Sequence, residues 1–235
     1  MKLQNIVRAN QFDQWVGELQ TLKSLQLGVG ESLLDIGCGI GQFTPLFCRK
    51  FKQVVGLDPD ERCLKVARLG NQKPTYVQGY GETFKFTQKF DTINMTNLLE
   101  HVDNPVKLLK NCKKHLNKGG RIIAQVPNAN SITRRLGVIM GVIDSIKNIS
   151  DREINVYGHQ RVYTIKSLVK DFEKAGLKPV VTGGLLYKPL PNEILGEICK
   201  KRGDKWRRSF MDTLVKFGED KTEDCAQIYV SARNN

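Results

Sequence analysis

Long apolar runs are missing from this 235-residue sequence. Charges interrupt every hydrophobic stretch before it reaches the roughly 18 residues that a membrane-spanning helix needs. An apolar core of signal-peptide length is also missing from the opening MKLQNIVRANQFDQW, so the expected location is the cytoplasm. Internal repeats, low-complexity tracts and Pro/Ser-rich linkers are absent, which points to a single domain over 1–235. Six cysteines are present (Cys38, Cys48, Cys63, Cys112, Cys199 and Cys225), but they show no CxxC or paired ligand spacing. Free thiols are therefore expected, and with only three histidines no metal is implied.

What is present is a chain with 40% hydrophobic and 26% charged residues, a balance that supports a folded core and excludes disorder. Its net charge of +13 is unevenly spread. Residues 1–100 carry 12 basic against 10 acidic side chains, whereas 101–235 carry 25 against 14. Nucleic acid, an anionic membrane face or an anionic small molecule could each exploit the basic half, and charge alone does not choose among them.

Short Val/Ile/Leu-rich runs alternate with helical stretches. The runs are Ser32–Ile36, Gln53–Leu57, Thr75–Gln78, Phe90–Met95 and Arg121–Val126. The helical stretches are Gly41–Phe51, Asp60–Leu69 and Pro105–His115. This alternation predicts an α/β fold with a doubly wound, mostly parallel sheet. An amphipathic helix over Ile165–Ala175 follows, then strands near Leu177–Thr182 and Ala226–Ala232, making seven strands that end in a hairpin-like pair. Two insertions are expected: a helical lid at about 128–163, after the fifth strand, with a helix over Ile132–Ile149, and a basic segment at about 189–223, long enough for one or two helices. The lid would emerge at the carboxyl edge of the sheet, where ligands bind in such folds.

The sharpest motif is Asp35-Ile36-Gly37-Cys38-Gly39-Ile40-Gly41, at the end of the first strand. Glycines there allow a tight turn and close approach of backbone amides to a ligand. The spacing G-x-G-x-G, with Gln42 after it, departs from the dinucleotide pattern G-x-G-x-x-G. Asp58-Pro59 ends the second strand. Its carboxylate is placed to accept from both hydroxyls of a ribose, or to cap the following helix.

These residues resemble the class I S-adenosylmethionine-dependent methyltransferases. Phe90-Asp91-Thr92-Ile93, Asn97-Leu98-Leu99-Glu100-His101-Val102 and Leu116-Asn117-Lys118-Gly119-Gly120-Arg121 extend the resemblance over 32–126, toward the small-molecule branch that includes ubiquinone-biosynthesis O-methyltransferases. The resemblance implies a Rossmann-like fold with S-adenosyl-L-methionine as cofactor and S-adenosyl-L-homocysteine as product. It places Gly37, Cys38, Gly39 and Gly41 against the methionine part of the cofactor, Asp35 near its amino group, and Asp58 and Pro59 at the ribose. Gly81 and Glu82 would border the adenine, and Thr96 and Asn97 would face the sulfonium. Tyr80 departs from the family pattern, which often has an acid there.

Methyl transfer from a sulfonium needs alignment and exclusion of water, plus a base when the acceptor must lose a proton. His159 is the first candidate and His101 the second, while His115, at a basic helix end, reads as a solvated charge. In Tyr157-Gly158-His159-Gln160-Arg161-Val162-Tyr163, the residues Tyr157, Arg161 and Tyr163 are candidates for binding substrate, or for pinning the lid. The run Cys199-Lys200-Lys201-Arg202-Gly203-Asp204-Lys205-Trp206-Arg207-Arg208 reads as a phosphate or membrane contact, or as a solvated helix. Asn10–Trp15 reads as a helix over the cofactor, or as core. The expected enzyme methylates oxygen or nitrogen of a small molecule. The alternatives are an RNA methyltransferase using the basic half, or a non-catalytic binding module.

Overall fold

The computed structural model describes residues 11–70, 73–151 and 153–234. Its frame is a seven-stranded sheet: β1 (Ser32–Ile36), β2 (Gln53–Asp58), β3 (Thr75–Gln78), β4 (Phe90–Thr96), β5 (Leu116–Pro127), β6 (Leu177–Leu185) and β7 (Gln227–Asn234). The strand order is β3-β2-β1-β4-β5-β7-β6. Strands β1 to β5 run parallel, and β7 enters antiparallel between β5 and β6. The hairpin-like final pair expected from the sequence is therefore β6 and β7.

Alternation along the central strands feeds two cores. Leu34 and Val55 point into the larger cluster, with Ile93, Met95, Leu108 and Phe172. Leu33 and Val54 pack on the other face, against Phe47 and Phe51. This double burial is why β1 and β2 read as continuous apolar runs. The helices are α1 (Gln11–Leu27), α2 (Glu61–Gly70), α3 (Pro105–Lys114), α4 (Ile132–Ile139), α5 (Ile165–Lys174), α6 (Asn192–Arg202) and α7 (Asp204–Gly218). Helix α3 shows how local sequence sets a boundary. Asn104 accepts from Lys107 N (2.9 Å), Pro105 occupies the first turn, and Leu108, Leu109 and Cys112 form the buried stripe. Helix α5 starts with a reciprocal cap between Thr164 and Ser167.

Two expectations need correction. The helix expected over Gly41–Phe51 is a 3-10 turn at Thr44–Arg49. Gly41 is left-handed (φ +69°), and Pro45 sits in the first turn, so regular winding cannot begin inside the glycine loop. The helix expected over Ile132–Ile149 is α4 alone, ending at Ile139 ahead of left-handed Gly141 (φ +68°). The basic segment, expected to hold one or two helices, holds two, α6 and α7, parted at Gly203 (φ +79°). Phe12 is 2% exposed, in a third cluster with Leu185, Leu195 and Met211, so it is ordinary core. Of Asn10–Trp15, residue 10 lies outside the described residues.

Between β5 and α5 the chain makes the expected excursion. Its base is closed by a bridge between Asn128 and Tyr163, with Ala129 N donating to Tyr163 O (2.7 Å). Beyond α4 it holds a short π-helix, Glu153–Tyr157. No helix among the described residues is long and apolar enough to cross a membrane.

Candidate active site

The glycine loop and both strand-end carboxylates meet at the carboxyl edge of the sheet, where β1 and β4 lie side by side. Gly37, Gly39 and Gly41 take φ values of +79°, +53° and +69°, which side chains resist. Gly37 N and Cys38 N both donate to Leu57 O (2.7 and 3.2 Å), tying the loop to β2. A side chain at Gly39 would meet no atom within 4 Å, so that part of the loop borders open space. Asp58 accepts from Gly39 N through Oδ2 and from Asp60 N through Oδ1, both at 2.9 Å. It braces the loop and caps the approach to α2 at once, with exposed Pro59 between.

Asp35 is 7% exposed and accepts from Thr44 Oγ1 (2.7 Å) and Asn94 Nδ2 (2.8 Å). Burial pushes its carboxyl up to about 6 against those two donors, and the Asp58 charge adds to the rise. Burial, then Asp35 and Asp58, push the Cys38 thiol far upward, so it stays protonated and is no nucleophile. Gly81 O accepts from Asn111 Nδ2 (3.2 Å), Glu82 is half-buried, and the Tyr80 side chain is largely exposed. Thr96 Oγ1 accepts from Asn94 Nδ2 (3.3 Å). Asn97 is left-handed (φ +50°) and exchanges amide bonds with Gln20 of α1 (3.1 and 3.2 Å).

The second half of the site forms where the excursion meets the loop after β4. Here His101 and His159, far apart in the chain, bring their rings to 4.8 Å in an edge-on contact. His101 Nδ1 is 3.3 Å from Gly158 O, and burial, then His159, push His101 down to about 4. His159 Nδ1 lies 3.9 Å from Glu153 Oε1, in ion-pair range. Glu153 also takes bonds from Ser150 N and Oγ (2.9 and 2.7 Å) and from the Arg134 guanidinium. Burial pushes Glu153 up, but His159, Arg134 and Ser150 outweigh it and hold the carboxyl below the usual range. Glu100 is 1% exposed with neither carboxyl oxygen hydrogen-bonded, and burial lifts it to about 8 against the Arg161 charge. A small pocket is lined by Glu100, Asn128, Arg134, Glu153, His159 and Arg161, with apolar neighbours.

The other sequence candidates are placed as follows. Arg161 donates to the carbonyls of Leu99 (2.8 Å), Val102 and Asp103 (3.2 Å), clamping the loop after β4. Tyr163 is 3% exposed, and its hydroxyl donates to Asp171 Oδ2 (3.0 Å). Tyr157 is partly exposed, with its ring 5.7 Å from His159. His115 is not a solvated charge: Phe86 N donates to its Nε2 (3.2 Å), and its Nδ1 lies 3.0 Å from Asn111 O. Sequence reasoning passed over Glu153, whose role needs the π-helix fold-back, and Ser24, Asn94 and Gln125, which become visible only once α1 is laid on the sheet. It also passed over the grouping of Glu100, His101 and His159, whose potential ligand atoms lie within 4.8 Å of one another; linear spacing does not reveal such a set.

Comparison with known proteins agrees with this geometry. The profile of a methyltransferase domain family matches residues 7–182. The chain belongs to the class I S-adenosylmethionine-dependent methyltransferases, and is an enzyme of that class. A ubiquinone biosynthesis O-methyltransferase of Idiomarina loihiensis is 30% identical over 176 residues, covering 72% of this chain and 70% of the relative. The fold matches a methyltransferase of Mesorhizobium loti (TM-score 0.63, 18% identity, 93% and 98% of the two chains). It also matches the N-methyltransferase NodS of Bradyrhizobium japonicum, solved with S-adenosyl-L-homocysteine (TM-score 0.60, 15% identity, 97% and 90%). The residues present fit the cofactor: left-handed glycines beside open space, and carboxylates at the ends of two adjacent strands.

Proposed function

We propose that the chain methylates an oxygen or nitrogen of a small molecule held beneath the 128–163 excursion, with His159 as the base. The observation that carries this reading is the cluster itself: His159 faces the pocket, with Glu153 behind its Nδ1 and His101 against its ring. The bound cofactor supplies an electrophilic methyl group. Gly37, Cys38, Gly39 and Gly41 would hold its methionine part, Asp35 its amino group, Asp58 and Pro59 its ribose, Gly81 and Glu82 its adenine edge, and Thr96 and Asn97 its sulfonium side.

Glu153 holds His159 with Nε2 free to take the acceptor's proton, the arrangement expected of an oriented base. Glu100 oxygens and Arg134 Nε, buried without a hydrogen-bond partner, are available to a substrate's polar groups in the same pocket. Arg161 and Tyr163 serve as positioning residues that fix the loop carrying Glu100 and His101, and Tyr157 borders the substrate. The O-methyltransferase relative supports oxygen as the acceptor atom. An RNA substrate is less favoured on the basic α6–α7 elbow, because Trp206, its one tryptophan, already stacks on Phe210 (4.8 Å, 14°) and has Arg202 over its ring (5.9 Å).

The test is His159→Ala. Its affinity for S-adenosyl-L-homocysteine stays at the wild-type value, while turnover on an accepted substrate falls about 10²–10⁴-fold. Wild-type turnover in the variant would instead make His159 a pin for the excursion.

A further inference from the structure

Helix α1 reaches the cofactor end of the sheet through a chain of buried polar side chains. Gln125 Nε2 of β5 donates to Ser24 Oγ (2.7 Å) and to Gln20 O (2.7 Å). Ser24 Oγ donates to Asn94 Oδ1 (2.7 Å), and Asn94 Nδ2 donates to Asp35 Oδ1 (2.8 Å). Gln20, Ser24, Asn94 and Gln125 are each at most 1% exposed, so water does not substitute for any of these bonds. Each side chain donates to the next, and the sequence ends on a carboxylate. Bonds aligned this way polarise one another.

We propose that Ser24 is a positioning residue for Asp35: its hydroxyl fixes the orientation of the Asn94 amide, so that the amide nitrogen, and not the oxygen, meets the Asp35 carboxylate. The inference rests on the reading that Asp35 receives the cofactor's amino group. An amide presents a donor on one side and an acceptor on the other, and its two orientations have nearly the same shape. In the reversed one, Asn94 Oδ1 would face the carboxylate oxygen, and Ser24 Oγ would accept from both Asn94 and Gln125 while its own proton went unplaced. Gln125 therefore commits Ser24 to accept on one side, Ser24 donates on the other, and Asn94 is left with one satisfactory orientation.

The other groups around Asp35 do not replace this donor. Thr44 Oγ1 occupies its second oxygen (2.7 Å). Asp58 from β2, and Cys38 and Tyr76 if ionised, act as like charges. Among the donors opposing the effect of burial, Asn94 ranks first. The same helix ties the far side of the cofactor region through the Gln20–Asn97 amide pair, and its Gly17 lies against the Phe43 ring that follows the glycine loop, where a Cβ would come within 2.2 Å of the ring.

The experiment is calorimetric titration of the full chain with S-adenosyl-L-homocysteine from pH 5 to 8.5, for wild type, Ser24→Ala and Ser24→Thr. Wild-type affinity falls on the acid side as Asp35 takes up a proton. In Ser24→Ala that fall begins about one pH unit higher, so affinity near pH 6 drops roughly tenfold while affinity at pH 8.5 stays within about twofold. Ser24→Thr, which keeps the hydroxyl, follows wild type. Should Ser24→Ala fail to fold, Ser24→Cys, a weaker donor of similar size, gives an intermediate displacement.

A loss of affinity equal at all pH values, or no change in the acid limb, overturns the proposal. The ligand-free protein supplies a second readout: the carboxyl ¹³C resonance of Asp35 titrates at higher pH in Ser24→Ala. If wild type binds no S-adenosyl-L-homocysteine, the cofactor role of Asp35 fails, and the resonance alone decides whether Ser24 orients Asn94.

Discussion

At the scale of single residues, the carboxylates of this site differ because their surroundings differ. Asp58 accepts two backbone amides and sits half-buried at a strand end. Asp35 is enclosed and depends on two side-chain donors. Glu100 is enclosed without any, and so holds its proton to about pH 8. Glu153 is surrounded by cation and hydroxyl and stays ionised. Ribose binding and loop bracing at Asp58 are separable by substitution. Asp58→Asn keeps an oxygen for one of the two amides but removes the charge. Its affinity for S-adenosyl-L-homocysteine, measured by calorimetry, should fall by about 1–3 kcal/mol, the contribution of charge-assisted hydrogen bonds. Wild-type affinity in Asp58→Asn would leave Asp58 as a cap and brace only.

At the scale of elements, one residue joins three parts of the excursion between β5 and α5. Arg134, on α4, joins Glu153 on the π-helix and the carbonyls of Asn148 (2.6 Å) and Ile146 (3.4 Å) in the connecting loop. Three parts of the segment thus share one guanidinium. Arg134→Ala should loosen the segment by roughly 2–3 kcal/mol, because it leaves the half-buried Glu153 with less compensation. The expected readouts are faster proteolysis within 140–157 and a higher KM for the acceptor, with cofactor affinity unchanged. Equal proteolysis rates would show that apolar packing, not Arg134, holds the segment.

Elements were legible in the sequence where burial on both faces wrote apolar runs, as in β1 and β2, and where amphipathic spacing marked a helix, as in α5. Legibility failed where backbone conformation overrode pattern. Gly41 and Gly141, both left-handed, shortened helices that the sequence pattern had extended. Within the site, the glycine loop and Asp58 were readable because each follows from a short run at the end of a recognisable strand. The Ser24–Asn94–Asp35 chain was not, because it joins elements distant in sequence that only the sheet order brings together, and Glu153 was not, because its role depends on how the excursion folds back on itself.

At the scale of the whole molecule, buried titratable groups couple the site to stability. An acid with a raised value in the folded state keeps its proton there, so the folded state is favoured at low pH and loses stability as pH rises toward that value. Asp35 contributes such a loss between 3.8 and about 6, and Glu100 between 4.5 and about 8. His101 works in the opposite sense. Its folded value of about 4, against 6.5 unfolded, costs stability as pH falls between those limits. Below pH 6.5 the histidine and the acids oppose one another, and above it Glu100 alone of the three still changes state. The melting temperature should therefore decline from pH 6.5 to 8, with a limiting slope of about 1.4 kcal/mol per pH unit. Glu100→Gln, which keeps the shape and cannot ionise, should flatten that decline in calorimetric scans and also remove the Glu100 share of the loss that begins near pH 4.5. The same decline in the variant would assign the alkaline loss to another group and remove Glu100 as a buried acid that must surrender its proton for the ligand-free fold to reach alkaline pH.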